Sequence, residues 1–206
     1  MVLENEGSRR GIAIGEEAPE IRSKAWFPER KDIADFRLSD HKGKWIVLAF
    51  YPGDFTFVCA TDIEELMKSY GRFSEANAEI FGISTDSIYS HKAWSETSPR
   101  VKESKIPLID DFKKGISADY GFLNAESGAA RRGSVIIDPE MRIQYFSVHN
   151  DALGKDVEHL LNALMGLKYI HDTTPSAEGH ICAVPANWRV GKKALDIDIV
   201  NDIGKL

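Results

Sequence analysis

The residues of this chain that could do chemistry centre on Cys59, which ends the segment Pro52-x-x-x-Thr56-x-x-Cys59. A cysteine thiolate is a strong nucleophile, so a reactive Cys59 would attack an electrophilic atom of a substrate. Thr56 brings a hydroxyl about one turn before the sulfur, and Pro52 would wall the pocket without adding an N–H group. The alternative is an unreactive Cys59 that packs as a small buried hydrophobe, and these residues alone leave both interpretations open.

The element that follows the segment is predicted to be an amphipathic helix. Apolar residues recur there at intervals of three and four: Ile63, Leu66, Met67, Tyr70 and Phe73. Thr56 could cap this helix, or Thr61 and Glu64 could form a capping box that starts it later. On either prediction Cys59 lies at or just before the first turn, where free N–H groups and the helix dipole favour an anion.

The apolar runs on either side of this helix predict an α/β fold. Trp45–Phe50 and Ala78–Ser84 are strongly apolar, and two buried strands joined by a helix form a βαβ unit with parallel strands. Residues 134–137 and 143–148 flank a turn with a proline, which predicts an antiparallel hairpin. A last helix follows from the spacing of Val157, Leu160, Leu161, Leu164 and Met165. We therefore expect a thioredoxin-like fold, with a mixed central sheet flanked by helices.

At the two ends of the chain, the apolar residues do not recur at the spacing of a helix or a strand. Residues 1–35 indicate an extended entry segment, because prolines and mixed charges interrupt every apolar pattern. Beyond Leu167 we find neither helical nor strand spacing, and a long segment of that kind usually packs on other structure. We predict one domain over residues 1–167 and a C-terminal arm over residues 168–206.

Residues 50–59 closely resemble the peroxidatic-cysteine motif of the peroxiredoxins, and most of all the typical two-cysteine group that includes alkyl hydroperoxide reductase C. The resemblance extends over nearly the whole chain. Two residues depart mildly from the motif: Ala60 stands where proline is usual, and Asp62 where glutamate is common. The resemblance implies a thiol-dependent peroxidase that reduces hydrogen peroxide and organic hydroperoxides, with Cys59 oxidised to a sulfenic acid.

The same resemblance assigns Arg132 as the active-site arginine, with Arg131 as a competing candidate. A guanidinium carries five donors in a fixed fork, so it could stabilise the thiolate and hold a peroxide oxygen. Without the resemblance, an arginine before a strand is usually a solvated charge. The register with residues 134–139 favours Arg132.

Cys182 is the second thiol, in Gly179-His180-Ile181-Cys182, and it resembles the resolving cysteine of the family. The resemblance implies a Cys59–Cys182 disulfide, formed with the partner subunit of a homodimer that assembles further into a decamer. It also implies an external dithiol protein, thioredoxin-like or a flavoprotein reductase, that restores both thiols by exchange. The longer run from Cys182 to Trp188 departs from the family and leaves the path of the arm open.

Composition excludes several other classes of protein. Of 206 residues 43% are hydrophobic and 28% charged, and the net charge of −6 leaves no broad basic surface for nucleic acid. No apolar run approaches the ~20 residues of a membrane span. The first six residues include two glutamates, Glu4 and Glu6, where a signal peptide would have a basic region. We therefore expect a cytoplasmic protein. Two cysteines are too few for a disulfide framework, and in a reducing compartment such a pair would be catalytic or metal-binding.

No cofactor or metal is predicted. The chain contains no HExxH, no Walker loop and no Gly-x-Gly-x-x-Gly motif, and His180 with Cys182 would supply at most two metal ligands. Two alternative functions remain at this stage. A thiol–disulfide oxidoreductase is weakened because no Cys-x-x-Cys is present. A redox-regulated oligomeric chaperone would use the thiols only for control.

Overall fold

The computed structural model describes residues 11–173, 180–198, 202 and 204. Two predictions involve residues outside these ranges. The absence of a signal peptide rests on the acidic residues at the start of the chain, and the setting of Cys182 includes Gly179. The chain forms two compact units, Met1–Val157 and Glu158–Leu206.

The first unit alternates strands and helices. Its strands are β1 (Arg22–Phe27), β2 (Asp32–Arg37), β3 (Trp45–Phe50), β4 (Ala78–Ser84), β5 (Leu108–Asp110), β6 (Arg132–Ile137) and β7 (Ile143–His149). Its helices are α1 (Phe57–Lys68), α2 (Tyr70–Glu75), α3 (Ile88–Thr97) and α4 (Gly115–Asp119), with a 3-10 turn at Leu38–His41. The strands form one mixed sheet in the order β2-β1-β5-β4-β3-β6-β7.

Strand β3 occupies the interior of this sheet and delivers the chain to Cys59. All six of its residues are buried, and it pairs in parallel with β4 and antiparallel with β6. Its last residue, Phe50, stacks on Phe122 with ring centroids 4.2 Å apart. Each such side chain contributes about 1.5–3 kcal/mol when it is fully buried. The predicted strand that is buried on both faces and the predicted βαβ unit are both confirmed.

The hairpin of β6 and β7 brings Arg132 into the sheet. Its two strands pair antiparallel as predicted, with Arg132 opposite His149 and an irregular register near Ile137. The residue after Arg132 must be small, because a Cβ at Gly133 would lie 2.1 Å from the Ser147 carbonyl oxygen and 2.4 Å from the Phe122 ring. A larger residue would therefore push β7 away and disturb the start of β6.

The prediction of an extended segment over residues 1–35 is wrong in its second half. Strands β1 and β2 form an antiparallel hairpin, and β1 also pairs with β5. The β2 strand lies at the edge of the sheet, where exposed charged residues such as Asp32 and Asp35 obscure the alternating pattern. Strand β2 ends at Arg37, and Leu38 already belongs to the 3-10 turn.

The second unit has more regular structure than predicted. Helix α5 (Val157–Thr173) continues beyond Leu167, and β8 (His180–Ala183) pairs antiparallel with β9 (Leu195–Asp198). The expectation of no strand in this region is therefore wrong, because two strands of four residues are too short to show a period. Trp188 is buried and lies beside Tyr169 of α5, with ring centroids 5.6 Å apart. The predicted boundary at residues 167 and 168 stays a prediction.

Candidate active site

Cys59 is the third residue of α1, in the first turn of the helix, and its side chain is fully buried. Thr56 occupies the N-cap position, so the helix starts at the earlier of the two predicted places. Thr61 lies inside the helix, where its hydroxyl donates to the Val58 carbonyl oxygen at 2.7 Å instead of forming a capping box. Cys59 therefore lies in the turn whose backbone N–H groups have no partner within the helix.

Arg132 lies directly against Cys59. Its Nη2 donates to the Cys59 Sγ at 3.3 Å, and its Nε donates to the Asp151 carbonyl oxygen at 3.0 Å. The side chain is only 2% exposed, whereas the competing candidate Arg131 is exposed. Burial alone would lower the pKa of the Arg132 guanidinium, but the charges of Asp62 and Cys59 raise it overall. Arg132 is therefore a fixed positive charge beside the sulfur.

Asp62 links Arg132 to a second buried cation. It lies one turn after Cys59 on α1 and accepts a hydrogen bond from Nη1 of Arg132. Lys155 donates to the same carboxylate twice, from its backbone N–H to Oδ1 at 2.8 Å and from Nζ to Oδ2 at 3.3 Å. All three side chains are almost completely buried. Removing Asp62 would therefore leave two buried cations without a counter-charge.

The Lys155 amine is the titratable member of this cluster. Its Nζ also donates to the Phe50 carbonyl oxygen at 2.7 Å, which ties it to the end of β3. Burial lowers the pKa of Lys155 to about 8; the neighbouring Arg132 charge acts in the same direction, and Asp62 opposes it. At neutral pH two cations therefore face one carboxylate, and an anionic Cys59 brings the cluster of four groups to zero net charge.

Sequence reasoning missed two members of the cluster. Asp62 was noted only as a departure from a motif, although its place three residues after Cys59 puts both side chains on one face of a helix. Lys155 precedes a helix in a polar segment, and nothing in its sequence context distinguishes it from a surface lysine.

Thr56 and Pro52 lie in the loop that joins β3 to α1. The Thr56 hydroxyl is exposed and donates to the Gly53 carbonyl oxygen at 2.9 Å, so its lone pairs remain available to accept a hydrogen bond. Pro52 is half-buried. The loop also contains Phe55 with a φ of 58°, a left-handed conformation that non-glycine residues seldom adopt.

Cys182 belongs to the second unit, where it lies in β8 and is half-buried. Its Sγ is 2.9 Å from the Thr173 hydroxyl oxygen at the end of α5. Both cysteines are free thiols in this structure. The pairing of Cys59 with Cys182 stays a prediction.

The chain matches the model of the AhpC/TSA family over residues 14–146. The protein belongs to the AhpC/TSA family. The matched residues include Cys59, Asp62 and Arg132 and end before Lys155 and Cys182. Membership is consistent with the fold, since the match covers most of the mixed sheet.

Named relatives cover almost the whole of this AhpC/TSA-family chain. It is 37% identical to an alkyl hydroperoxide reductase C of Amphibacillus xylanus over 192 residues, which are 92% of this chain and 98% of the relative. It is 36% identical to the chloroplastic 2-Cys peroxiredoxin BAS1 of Hordeum vulgare, over 90% of this chain and 86% of the relative. These relatives confirm the predicted resemblance.

Solved structures confirm the predicted thioredoxin-like α/β fold. The reduced 2-Cys peroxiredoxin of Plasmodium vivax superimposes with a TM-score of 0.80 at 33% identity, covering 88% of this chain and 91% of that one. The AhpC of Mycobacterium tuberculosis superimposes with a TM-score of 0.73 at 30% identity, over 81% and 98% of the two chains.

The described residues give no support for a metal centre or a membrane span. Within residues 11–173 and 180–198, no group of three or more His, Cys, Asp or Glu side chains could hold a metal ion. Among the helices described by the structure, none combines the length and the apolar character needed to cross a bilayer.

Proposed function

We propose that the protein is a thiol-dependent peroxidase that reduces hydrogen peroxide and organic hydroperoxides with Cys59 as its nucleophile. The observation that carries the proposal is the 3.3 Å hydrogen bond from the buried Arg132 guanidinium to the Cys59 sulfur. A fixed cation at that distance stabilises a thiolate, and membership of the AhpC/TSA family supports peroxide as the substrate.

In the proposed step the Cys59 thiolate attacks the terminal oxygen of the hydroperoxide. A sulfur–oxygen bond forms as the oxygen–oxygen bond breaks, and Cys59 becomes a sulfenic acid. The leaving hydroxide or alkoxide takes up a proton and departs as water or an alcohol. Arg132 offsets the negative charge as it moves from sulfur to the leaving oxygen, while the Thr56 hydroxyl accepts a hydrogen bond from the peroxide. Pro52 excludes water from one side.

The sulfenic acid would then condense with Cys182 of a second subunit, releasing water and forming a disulfide. The two Cα atoms of a disulfide lie within about 7 Å of each other. Because Cys59 is fully buried in the first turn of α1, that turn must unwind before the sulfurs meet. We assign the resolving step to a homodimer within a decamer and the return to thiols to an external dithiol protein. We assign the protein to the cytoplasm, where thiols are kept reduced.

Peroxide consumption by the purified protein with a dithiol protein as electron donor tests this function. We expect Cys59→Ser to abolish turnover, because no other described group near Arg132 is a nucleophile of comparable strength. Cys182→Ser is the matched control: it should keep the first reaction with peroxide and lose turnover with the dithiol protein. If Cys59→Ser still reduced peroxide, the proposed function would be wrong. Disulfide exchange without peroxide consumption would favour the oxidoreductase alternative.

A further inference from the structure

The loop of residues 51–56 is held by buried polar groups around Asp54. The Tyr51 hydroxyl donates to Oδ1 of Asp54 at 2.9 Å, and Nδ1 of His91 lies 2.9 Å from Oδ2. The backbone N–H of Asp54 donates to Oδ2 of Asp86 at 2.8 Å. Tyr51 directly follows β3 and is part of the loop itself, whereas His91 belongs to α3 and Asp86 to the segment after β4. Asp54 therefore ties the loop to α3 and to the segment after β4.

This anchoring bears directly on where Cys59 lies. Phe55, the residue after Asp54, has a φ of 58°, and such a conformation persists only when its surroundings hold it in place. Thr56 follows and α1 begins at Phe57, so the position of Asp54 sets the direction in which the chain enters α1. Cys59 follows in the first turn of that helix.

The contacts of His91 indicate which of its two ring nitrogens carry a hydrogen. The side chain is completely buried, and its Nε2 lies 3.1 Å from the Ile109 carbonyl oxygen, which can only accept. Nε2 must therefore carry a hydrogen. A neutral imidazole has only one N–H group, so Nδ1 would then face Oδ2 of Asp54 with no proton between them. The observed contact requires one more proton, on Nδ1 or on the carboxylate.

We propose that His91 and Asp54 retain one shared proton at neutral pH and that this protonated pair is a positioning device for Cys59. The hydrogen-bond partners of His91 are Asp54 and the Ile109 carbonyl, so in this proposal it acts on the loop through Asp54. The positioning role rests on the proposed peroxidase function, whereas the shared proton does not.

The groups that surround His91 favour retention of the proton. Burial alone would lower the pKa of His91, but the hydrogen bond and charge of Asp54, the Ile109 carbonyl and the charge of Asp86 raise it overall. Burial, followed by the charge of Asp54, raises the pKa of Tyr51, so its hydroxyl stays a donor. On β5, Asp110 adds a further carboxylate, which accepts from the Ile88 N–H at the start of α3. The groups facing His91 are thus mostly anionic or accepting.

Loss of the shared proton has a predictable direction. Because the pKa of His91 is raised in the folded state, its stabilising contribution is complete below about pH 6.5 and disappears as the pH rises through the raised value. At high pH the Nδ1 lone pair and the Asp54 carboxylate would repel each other and release the loop. The strained Phe55 and the start of α1 would then lose their anchor.

Asp54→Asn is the decisive variant. An asparagine amide at this position can accept from Tyr51 with its oxygen and donate its N–H to Nδ1 of a neutral His91, so the same contacts form without the extra proton. Glu79→Gln is the matched control, because Glu79 accepts from Nδ1 of His41 at 2.5 Å. Glu79 lies near the start of β4, whereas Ser84 ends that strand beside the loop.

Nitrogen NMR of protein with ¹⁵N-labelled histidine reads the proton directly. In the reduced wild-type protein at pH 7.5 we expect His91 to show N–H signals or shared-proton shifts at both ring nitrogens, and in Asp54→Asn only the Nε2–H tautomer. Glu79→Gln should leave the His91 signals unchanged. A wild-type His91 with a single protonated nitrogen and an unperturbed lone pair would overturn the shared proton.

Denaturation and kinetics test what the pair does. As the pH rises from 6.5 to 9.5, the denaturant midpoint of unfolding should fall more in the wild type than in Asp54→Asn. A difference between the two midpoints that does not change with pH would contradict the proposal. The change of Lys155 charge is common to both proteins and cancels in this comparison. For the reaction with peroxide we expect His91→Phe to lose roughly tenfold or more, since small displacements of a nucleophile have large effects on rate. Asp54→Asn should stay within about threefold of wild type.

Two results separate failure of this inference from failure of the proposed function. If His91→Phe folds and reacts with peroxide as fast as the wild type, the positioning role is wrong. If His91→Phe does not fold, the peroxide rate of Asp54→Asn decides. A loss of tenfold or more in Asp54→Asn would contradict the proposal, because asparagine is expected to keep the contacts that hold the loop. If the wild type itself shows no Cys59-dependent peroxide reduction, the proposed function fails while the NMR result still decides the shared proton.

Discussion

At the scale of single residues, the site consists of three buried charged side chains around one sulfur. Arg132 and Lys155 supply two buried cations, and Asp62 with an anionic Cys59 supplies two anions. The cations differ in kind, because a guanidinium keeps its charge at every physiological pH whereas the pKa of Lys155 is lowered to about 8 by burial. The charge at the site therefore depends on pH through Lys155.

Lys155→Arg should make that dependence visible. As the pH rises through about 8, wild-type Lys155 loses its charge and the thiolate loses part of its stabilisation, while an arginine keeps both. We expect the rate of the peroxide reaction, measured by stopped-flow fluorescence, to fall in the wild type relative to the variant above pH 8. Lys155→Met is the control: it has no charge at this position at any pH, so its rate should also show no change that is due to titration near pH 8. Parallel profiles for wild type and Lys155→Arg would contradict this assignment.

Arg132→Met should slow the reaction of Cys59 with peroxide by about 10²–10³-fold, the usual cost of removing one donor to a developing anion. The variant also leaves Asp62 with Lys155 as its remaining buried cation, so we expect a lower unfolding midpoint. Arg131→Met is the matched control, since the neighbouring arginine is exposed. Equal losses in the two variants would show that the 3.3 Å contact with sulfur is not what matters.

At the scale of elements, the first turn of α1 must satisfy two opposed demands. It buries Cys59 beside Arg132, and the proposed disulfide with Cys182 would require it to open. Its first backbone hydrogen bond is long: the Ala60 N–H donates to the Thr56 carbonyl oxygen at 3.4 Å. A first turn held by such a bond can unwind at small cost.

Ala60→Pro should therefore shift the balance toward opening. Proline removes the N–H that bonds to Thr56 and disfavours the helical conformation of the preceding residue, Cys59. After a peroxide pulse, we expect the disulfide with Cys182 to form faster in this variant than in the wild type. Rapid quenching followed by non-reducing electrophoresis measures that rate. Ala60→Ser keeps the N–H and serves as the control. A rate for the proline variant equal to or below that of the control would argue against unwinding as the limiting step.

Buried elements were predictable from the sequence, and exposed ones were not. Strands β3, β4 and β6 have apolar patterns that survive because their side chains enter the core. The β1–β2 hairpin lies at the sheet edge, and the four-residue strands β8 and β9 are too short for a period. The motif of residues 50–59 predicted Cys59, and the register with residues 134–139 predicted Arg132. Lys155 could not be predicted, because only the fold brings its amine to Asp62.

At the scale of the whole molecule, the two thiols lie in two separate compact units, Cys59 in the first and Cys182 in the second. The second unit combines α5 with a small hairpin, in which the Cys182 sulfur contacts Thr173. The proposed disulfide would therefore join a first unit to a second unit, whether these belong to one chain or to two. The proposal of a homodimer assigns them to two.

Non-reducing electrophoresis after peroxide treatment distinguishes these arrangements. We expect a band at twice the mass of the chain, which disappears in Cys182→Ala and in Cys59→Ser because each variant lacks one sulfur of the bridge. A band at the mass of one chain with altered mobility would instead assign the disulfide to a single chain and contradict the intersubunit bridge. Treatment with a dithiol protein should restore the reduced band.

Trapping the oxidised sulfur tests the central claim most directly. In Cys182→Ser, one equivalent of hydrogen peroxide should convert Cys59 to a sulfenic acid that has no partner thiol in its own chain. A carbon nucleophile selective for sulfenic acids, followed by mass spectrometry, should then label Cys59 nearly stoichiometrically, and Arg132→Met in the same background should slow the labelling. Peroxide consumed while Cys59 stays unlabelled and reduced would contradict the account.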